Sequence, residues 1–397
     1  MNDSYIEWRK IENIRPLTIP NKEKFYRDLI NIEHSWSGRV DIGNIGNTFI
    51  IEAEQQLINA IELFEQGYFD CAYYSLRSAV DLSTTMVYLA DMPEEERELI
   101  LDAWKETKDF PMQGQMIKHL STKGNVFRDM KNKMTNFFAK AKELSADLNK
   151  CVHKQGLKHF YVSRNHPLYF QKSQDTFISN FEFYLKRCTG VVAVMRLAID
   201  PFPVLLMDEE ILYRCFDSMT EPYNSDFVNE YIDHSVIEAY KTTDIYQKSY
   251  ALFIHEEKKN EAVFNIVKHQ YIDSLKIDEI LIQLHLMSKD DIVCTLMVYA
   301  CDKVVKVYSQ GGLLMYFTDK NTNRKEQSWS GLDFKNFADA ENKTNQLYDE
   351  AYISAFLFYG EYYYVDKNWV RMIWIRLSEW WAGALFKTKE SQSDLLI

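Results

Sequence analysis

The sequence predicts a mainly α-helical protein. An N-terminal up-and-down helical bundle is followed by a second mainly helical domain that contains a small β-hairpin or sheet. Two observations favour this fold class. Apolar residues recur at helical spacing over residues 52–91, 126–152 and 177–198. Glycine and proline are scarce, at 13 and 8 residues of 397, and such a composition disfavours a chain built mainly from strands and tight turns.

Interruptions of the helical pattern indicate where the domains begin and end. Pro201-Phe202-Pro203 interrupts the helical pattern, because proline cannot continue a helix from its interior. Before the first helical run the chain is irregular, with Trp8 and Trp36 as anchors for packing. We therefore expect an N-terminal arm over residues 1–50 that packs on the bundle, the bundle itself over 51–200, and a C-terminal domain over 201–397.

The bundle begins with a helical hairpin. Two amphipathic helices are joined at Gly67, a residue type that favours the left-handed turn which closes a helix. One hairpin cannot bury both apolar stripes by itself, so further helices must pack against it. The stripe residues are Ala53, Leu57, Ala60, Ile61 and Phe64 in the first helix, and Ala72, Leu76, Ala79, Val80, Met86 and Val87 in the second.

Three more helices complete the predicted bundle. Residues 92–106 have Pro93 and an acidic first turn, which suit a helix N-terminus. A long amphipathic run follows from Val126 to Val152, and we expect it to close at Gly156. Its other face carries Ser145, Asn149 and His153 one turn apart. The last helix is predicted at about residues 177–198.

The C-terminal half continues with helical patterns and then changes character. Helical spacing extends from Leu205 to about Tyr299. Two β-rich runs around Gln310-Gly311-Gly312, within residues 303–321, predict a β-hairpin. Two aromatic stretches, Leu347–Tyr359 and Trp369–Phe386, are predicted to be helices.

The hairpin and the long helix resemble the HEPN superfamily over roughly residues 50–200. The resemblance rests on the run LINAIELFEQGYFDCAYYSLRSAVDL, in the hairpin that ends at Asp91, and on ELSADLNKCVHKQG at 143–156. HEPN ribonucleases place an Arg, often followed by a polar residue, a few positions before a His. Asn149 and His153 match the polar residue and the His, whereas Leu148 stands where the Arg would fall. The resemblance implies a helical bundle, metal-independent RNA cleavage and a site shared across a dimer.

Such cleavage needs a base for the ribose 2′-hydroxyl, a cation for the phosphorane and a proton for the leaving 5′-oxygen. His153 is the candidate base or acid. Asn149, one turn before it, is placed to hold the imidazole or a phosphate oxygen. Arg77 is the arginine that the bundle would bring to the site, and its alternative role is an ion pair with Asp81 four residues on.

Charge is distributed unevenly along the chain. The net charge is −12, yet residues 118–172 hold twelve Lys and Arg against three Asp and Glu. A basic segment beside the candidate His suits a phosphate backbone, although lysines also solvate the outside of a long helix. If RNA binds, the candidate contacts are Lys150, Lys154, Lys158 and Arg164.

Several classes of protein are disfavoured. The six cysteines form no CxxC pair, and neither a metal nor a cofactor is expected. Nucleotide-binding GxxxxGK[ST] and GxGxxG motifs do not occur. The charged N-terminus and the charges within Val370–Phe386 disfavour a secretory signal and a membrane span, so we expect a cytosolic protein.

Three functions remain open at this stage. The first is a HEPN-like ribonuclease or toxin, with a role in bacterial stress response or phage defence by resemblance, and with a C-terminal domain for sensing or assembly. The second is a non-catalytic HEPN-like scaffold with a protein partner or a second copy, favoured by Leu148 and the acidic second half. The third is a small-molecule sensor, in which the aromatic run Tyr352–Tyr364 lines a pocket.

Overall fold

The structure is a computed structural model of the chain. It describes residues 4–5, 7, 16–33, 40–106, 108, 110–160, 173–216, 218, 220–319, 338–341, 343, 345–348 and 351–368. The contacts divide the chain into two units, Met1–Lys258 and Lys259–Ile397. Trp8, Trp36 and the predicted helix Trp369–Phe386 lie outside the described residues. The fold class predicted from the sequence is confirmed, since the protein is mainly helical with a small sheet.

The described residues of the first unit form helices and connecting turns, with no strand among them. Short 3₁₀ turns occupy Ile30–Ile32 and Leu157–His159, and a π-helical turn occupies Val228–Ile232. The helices are α1 Lys22–Leu29, α2 Val40–Glu65, α3 Phe69–Ala90, α4 Glu94–Lys105, α5 Gln113–Thr122, α6 Val126–Lys133, α7 Thr135–Val152, α8 Gln174–Arg196, α9 Phe202–Leu205, α10 Glu209–Leu212, α11 Ser225–Phe227, α12 His234–Lys241 and α13 Asp244–Glu256.

Helix α3 is the central element of this unit. It packs against α2, α5, α7 and α8, and most of its residues are buried. The predicted stripes of the hairpin, from Ala53 to Phe64 and from Ala72 to Val87, all lie in the core. Burial on several sides explains why small and apolar residues occupy most positions of α3.

Gly67 closes the first helix of the hairpin as predicted. Its φ is 86°. The Gly67 N–H donates to the Phe64 carbonyl at 3.0 Å and the Tyr68 N–H donates to the Leu63 carbonyl at 2.8 Å. This pair of bonds is the Schellman pattern, in which a left-handed residue satisfies the last carbonyls of a helix.

The N-terminal segment packs on the bundle through apolar side chains. Its backbone is tied to α2, because the Leu17 N–H donates to the Glu65 carbonyl at 2.9 Å. The Lys22 ammonium pairs with both Glu62 and Glu65 at 2.7 Å. The buried side chains of the segment are Leu17, Ile19, Phe25, Leu29 and Ile32.

Two boundaries differ from those expected. The run from Val126 to Val152 is two helices, because Met134 leaves the helical conformation with φ −110° and ψ 40°. The boundary expected near residue 200 falls inside the first unit. Residues after Pro203 fold onto the same core: the Tyr223 and Tyr240 hydroxyls donate to carbonyls of Ala193 and Leu197, each at 2.8 Å. These bonds join the chain on both sides of the expected boundary.

The second unit combines short helices with a mixed sheet. Among its described residues the strand order is β1-β3-β2-β6-β5-β4, with β1 parallel to β3 and the other neighbours antiparallel. The predicted hairpin at 303–321 is confirmed as β2 and β3. The elements are α14 Glu261–His269, β1 Tyr271–Ile272, α15 Ile277–Ile282, α16 Lys289–Ala300, β2 Val304–Ser309, β3 Leu314–Thr318, β4 Gln346–Tyr348, β5 Ala351–Phe358 and β6 Glu361–Lys367, with 3₁₀ turns at Ser274–Lys276, Leu284–Leu286 and Gln310–Gly312.

The prediction of a helix over Leu347–Tyr359 was wrong, because this stretch forms β4 and β5. Tyr359 and Gly360 have φ values of 48° and 80°, and they form a two-residue turn that pairs β5 with β6. Two successive positive φ values match the right-handed twist of a hairpin. The aromatic and β-branched side chains of the stretch suit the faces of a sheet.

A glycine of α8 lets the π-helical turn approach closely, which gives a test of the first unit. A Cβ added at Gly190 would lie 2.0 Å from the Tyr231 carbonyl oxygen. We expect Gly190→Ala to lower the free energy of unfolding by about 3 kcal/mol, because backbone must move to relieve the clash. Urea unfolding of the full chain measures this change.

The matched control is Gly114→Ala in α5. A Cβ at Gly114 meets nothing within 4 Å. Alanine in an open helical position raises stability by up to about 1 kcal/mol relative to glycine. If the two substitutions change the free energy of unfolding equally, the close approach of the Tyr231 carbonyl to α8 is contradicted.

Candidate functional site

The end of α7 that carries His153 is fixed against the beginning of α3. The Tyr74 hydroxyl donates to the Val152 carbonyl at 3.0 Å. The Lys154 ammonium forms an ion pair with Asp70 and also donates to the His159 carbonyl at 3.0 Å. These contacts join the first turns of α3 to the last turn of α7 and to the residues that follow it.

The two helices run in opposite directions. At the far end of the contact, Val80 and Thr84 of α3 line the same cavity as Ala141 and Ser145 of α7. Residue numbers therefore rise along α3 as they fall along α7. With a rise of about 1.5 Å per residue in both helices, Arg77 of α3 lies at the level of Asn149 of α7.

Polar side chains follow this contact on both helices. On α3 they are spaced four, three and four residues apart, which places them on one face. On α7 they are four residues apart. We call the polar residues Asp70, Tyr74, Arg77 and Asp81 the α3 stripe, which is a different set from the apolar stripe of the same helix. We call Ser145, Asn149 and His153 the α7 column. The anchors at Tyr74 and Asp70 direct the α3 stripe toward the end of α7.

Three polar atoms at the middle of this contact are buried. They are Arg77 Nε, Asp81 Oδ1 and Asn149 Oδ1, and no described residue forms a hydrogen bond with any of them. A buried polar group without such a bond costs about 1–3 kcal/mol. Native structures hold few of these groups, and three of them occur together in this contact.

Arg77 and Asp81 form the ion pair that the sequence offered as an alternative. Arg77 Nε lies 3.5 Å from Asp81 Oδ2, with side-chain exposures of 29% and 33%. Burial raises the pKa of the Asp81 carboxyl, and the nearby Arg77 guanidinium opposes that shift. The pair holds the guanidinium in place and leaves hydrogen-bonding capacity on both side chains.

His153 ends α7 and is exposed. Its backbone N–H donates to the Asn149 carbonyl at 2.8 Å, so the last turn of the helix is intact. Lys154 follows with φ 55°, and Gly156 has φ 104°. The chain turns away at once, which leaves the imidazole accessible above the level of Asn149.

The predicted RNA-binding residues differ in their surroundings. Lys150 is paired with Asp147 at 2.9 Å on the exposed face of α7. Lys154 is held by Asp70 and the His159 carbonyl, as described above. The structure does not describe the Lys158 side chain, and Arg164 lies outside the described residues. Two of the four cations therefore already have protein partners.

Sequence reasoning missed two members of this site and the burial of a third. Asp70 and Tyr74 fix the register of the two helices, and Asp81 is a partly buried carboxyl rather than a surface charge. The spacing of the α3 stripe was a usable signal, because positions 70, 74, 77 and 81 share one helical face. Their burial depends on the neighbouring helices and is not visible in the spacing.

Within the described ranges, no group of three or more His, Cys, Asp or Glu is arranged to hold a metal ion. None of the helices that the structure describes is long and apolar enough to cross a membrane.

Comparison of the chain with protein-family models, curated proteins and solved structures gives no match. The HEPN resemblance therefore stays a prediction from the sequence.

The buried Asn149 oxygen leads to a prediction about stability. We expect Asn149→Leu to raise the free energy of unfolding by about 1 kcal/mol, because it removes a buried acceptor that has no hydrogen bond. Residues kept at a cost in stability are typical of functional sites. Urea unfolding of the full chain measures the change.

Asn59→Leu in α2 is the matched control. Asn59 is also inside a helix, but its Oδ1 accepts a hydrogen bond from Gln55 Nε2 at 2.9 Å. Its replacement changes stability by less than about 0.5 kcal/mol, as for most partly exposed sites. A loss of stability in Asn149→Leu would show that the Asn149 oxygen has a partner in the folded protein.

Proposed function

We propose that the first unit is a HEPN-like, metal-independent ribonuclease that acts as a toxin-type effector. The second unit then serves for sensing or assembly, and a role in bacterial stress response or phage defence follows from the family that the sequence resembles. Support comes from the contact between the α3 stripe and the α7 column, where Arg77 Nε and Asn149 Oδ1 are buried and lack hydrogen bonds.

The chemistry assigned to this site needs no metal ion. The His153 imidazole takes the proton from the ribose 2′-hydroxyl, whose oxygen then attacks phosphorus. The bond from phosphorus to the 5′-oxygen breaks, a proton is delivered to that oxygen, and a 2′,3′-cyclic phosphate forms. The Arg77 guanidinium stabilises the charge that develops on the phosphorane, and Asp81 holds the guanidinium in position.

Asn149 has a positioning role in this proposal. Its amide nitrogen donates to a phosphate oxygen. The Oδ1 of the same side chain is buried and has no donor among the described residues.

We propose that a second copy of the chain binds at this end of the bundle. Three large apolar side chains around the α7 terminus are exposed: Tyr74 at 49%, Leu157 at 55% and Phe160 at 41%. Exposed apolar side chains that lie close together mark surfaces for association. A dimer through this surface would bring a second set of cations to each His153, which suits a site in which Lys150 and Lys154 are already paired.

Cleavage of a mixed RNA pool by the full chain, with EDTA present, tests the proposal. We expect wild type to produce fragments that end in 2′,3′-cyclic phosphate. His153→Ala lowers the rate by about 100-fold or more, because it removes the group that transfers the proton.

His255→Ala is the matched control. His255 also stands in the last turn of a helix, α13, and its side chain is 86% exposed. The control variant retains the wild-type rate. Equal rates in the two variants, or cleavage that requires a divalent metal, would contradict the proposed site.

The alternative function is a non-catalytic HEPN-like scaffold. The pairing of Lys150 with Asp147 and of Lys154 with Asp70 favours it, because paired lysines attract a phosphate backbone less strongly. The same exposed side chains, Tyr74, Leu157 and Phe160, would then contact a protein. A scaffold keeps its cellular phenotype in His153→Ala and loses it in Leu157→Asp, whereas a ribonuclease loses the phenotype in His153→Ala.

A further inference from the structure

The first unit contains a cavity of about 480 Å³ among α3, α5, α6, α7 and α8. This volume lies in the range of sites that hold small molecules. The cavity adjoins Ser145 of the α7 column, but Arg77, Asn149 and His153 are not among its lining residues. None of the residues assigned a role in RNA cleavage therefore lines this cavity.

Its inner wall is apolar. Phe127 and Phe138 pack edge to face with their ring centres 5.1 Å apart, and Phe137 packs on Phe138 at 5.3 Å. Val80 and Met195 are buried, with exposures of 4% and 5%. Such a wall suits an aliphatic chain, because it offers apolar contact and few hydrogen bonds. The apolar lining residues are Val80, Ile117, Phe127, Phe137, Phe138, Ala141, Val191 and Met195.

Lysines stand at the rim. Lys118, Lys131 and Lys142 line the cavity together with the hydroxyls of Ser121 and Thr122. The lining contains no Asp or Glu, and Lys118 and Lys142 form no ion pair with any residue that the structure describes. The Lys131 ammonium donates to Ser121 Oγ at 2.7 Å, which is a neutral acceptor.

A larger cavity of about 720 Å³ in the same unit lacks this pattern. It is lined by both signs of charge, including Arg128, Lys248, Asp129 and Asp244. Asp129 and Asp244 share the ammonium of Lys133, at 2.9 and 2.6 Å. Its positive and negative side chains are balanced within the protein, so the cavity favours neither an anionic nor a cationic ligand.

We propose that the lysine-rimmed cavity binds a free single-chain anionic amphiphile. The aliphatic chain lies along the phenylalanine wall, and a carboxylate or phosphate head lies among the three ammonium groups. Burial of the chain removes its apolar surface from water, and the charged rim selects an anion over an uncharged or cationic head. The ligand contacts α7 at Ser145, one turn from Asn149.

Calorimetric titration of the full chain with four octyl compounds tests this inference. Octanoate and octyl phosphate carry the two anionic heads, and the tighter binder of the two identifies the head group. Octanol and octyltrimethylammonium carry the same chain, and we expect them to bind about tenfold more weakly or worse. Octanol that binds as tightly as the better anion would overturn the proposal, as would no binding of either anion.

Two pairs of variants locate the binding. Lys142→Met is expected to weaken anion binding about two- to fivefold, and Lys140→Met, an exposed lysine of the same helix outside the cavity, leaves it unchanged. Ala141→Trp fills the cavity and abolishes binding, while Ala139→Trp on the exposed face does not. Anion binding that survives in Ala141→Trp with wild-type affinity rejects this cavity as the site. The lysine variants change only surface groups, so they still test whether the anion binds at this cavity if Ala141→Trp fails to fold.

Discussion

The burial of α3 is the constraint on which the first unit depends. This helix contacts α2, α5, α7 and α8, so its orientation is set by packing on several sides at once. Close-packed interiors resist small shifts, because any rotation would open voids on one side and cause overlap on the other. The α3 stripe therefore has a fixed direction, and its polar groups must find partners along α7 or remain without them.

The hydrogen bond and the ion pair at one end of the contact between α3 and α7 fix the positions of the side chains in its middle. Tyr74 and Asp70 hold the last turn of α7 and the residue after His153. One turn further, Arg77 and Asp81 satisfy each other only in part, at a distance of 3.5 Å. A site that is held rigidly and left with free hydrogen-bonding capacity is organised before a ligand arrives, which lowers the cost of binding.

Helices with a clear apolar period could be predicted from the sequence. The turn at Gly67 could be predicted as well, because glycine favours the left-handed backbone conformation found there. The strands in the stretch 347–359 were not predicted, since most of its side chains are apolar or aromatic and hide the period of two. Tyr359-Gly360 was the available signal of a hairpin turn. The shared helical face of Asn149 and His153 could be predicted from their spacing. The pairing of Lys154 with Asp70 could not, because it joins residues 84 positions apart and depends on the tertiary fold.

The proposed function requires that Arg77 and Asn149 belong to one phosphate-binding site. Nuclear magnetic resonance tests it directly, with ¹⁵N spectra of the full chain titrated with a dinucleotide whose 2′-hydroxyl is methylated and cannot react. The Arg77 Nε–H and Asn149 side-chain amide signals are expected to shift together along one binding curve with a single Kd. Signals that stay in place at saturating dinucleotide, or that follow two different curves, would contradict a shared site.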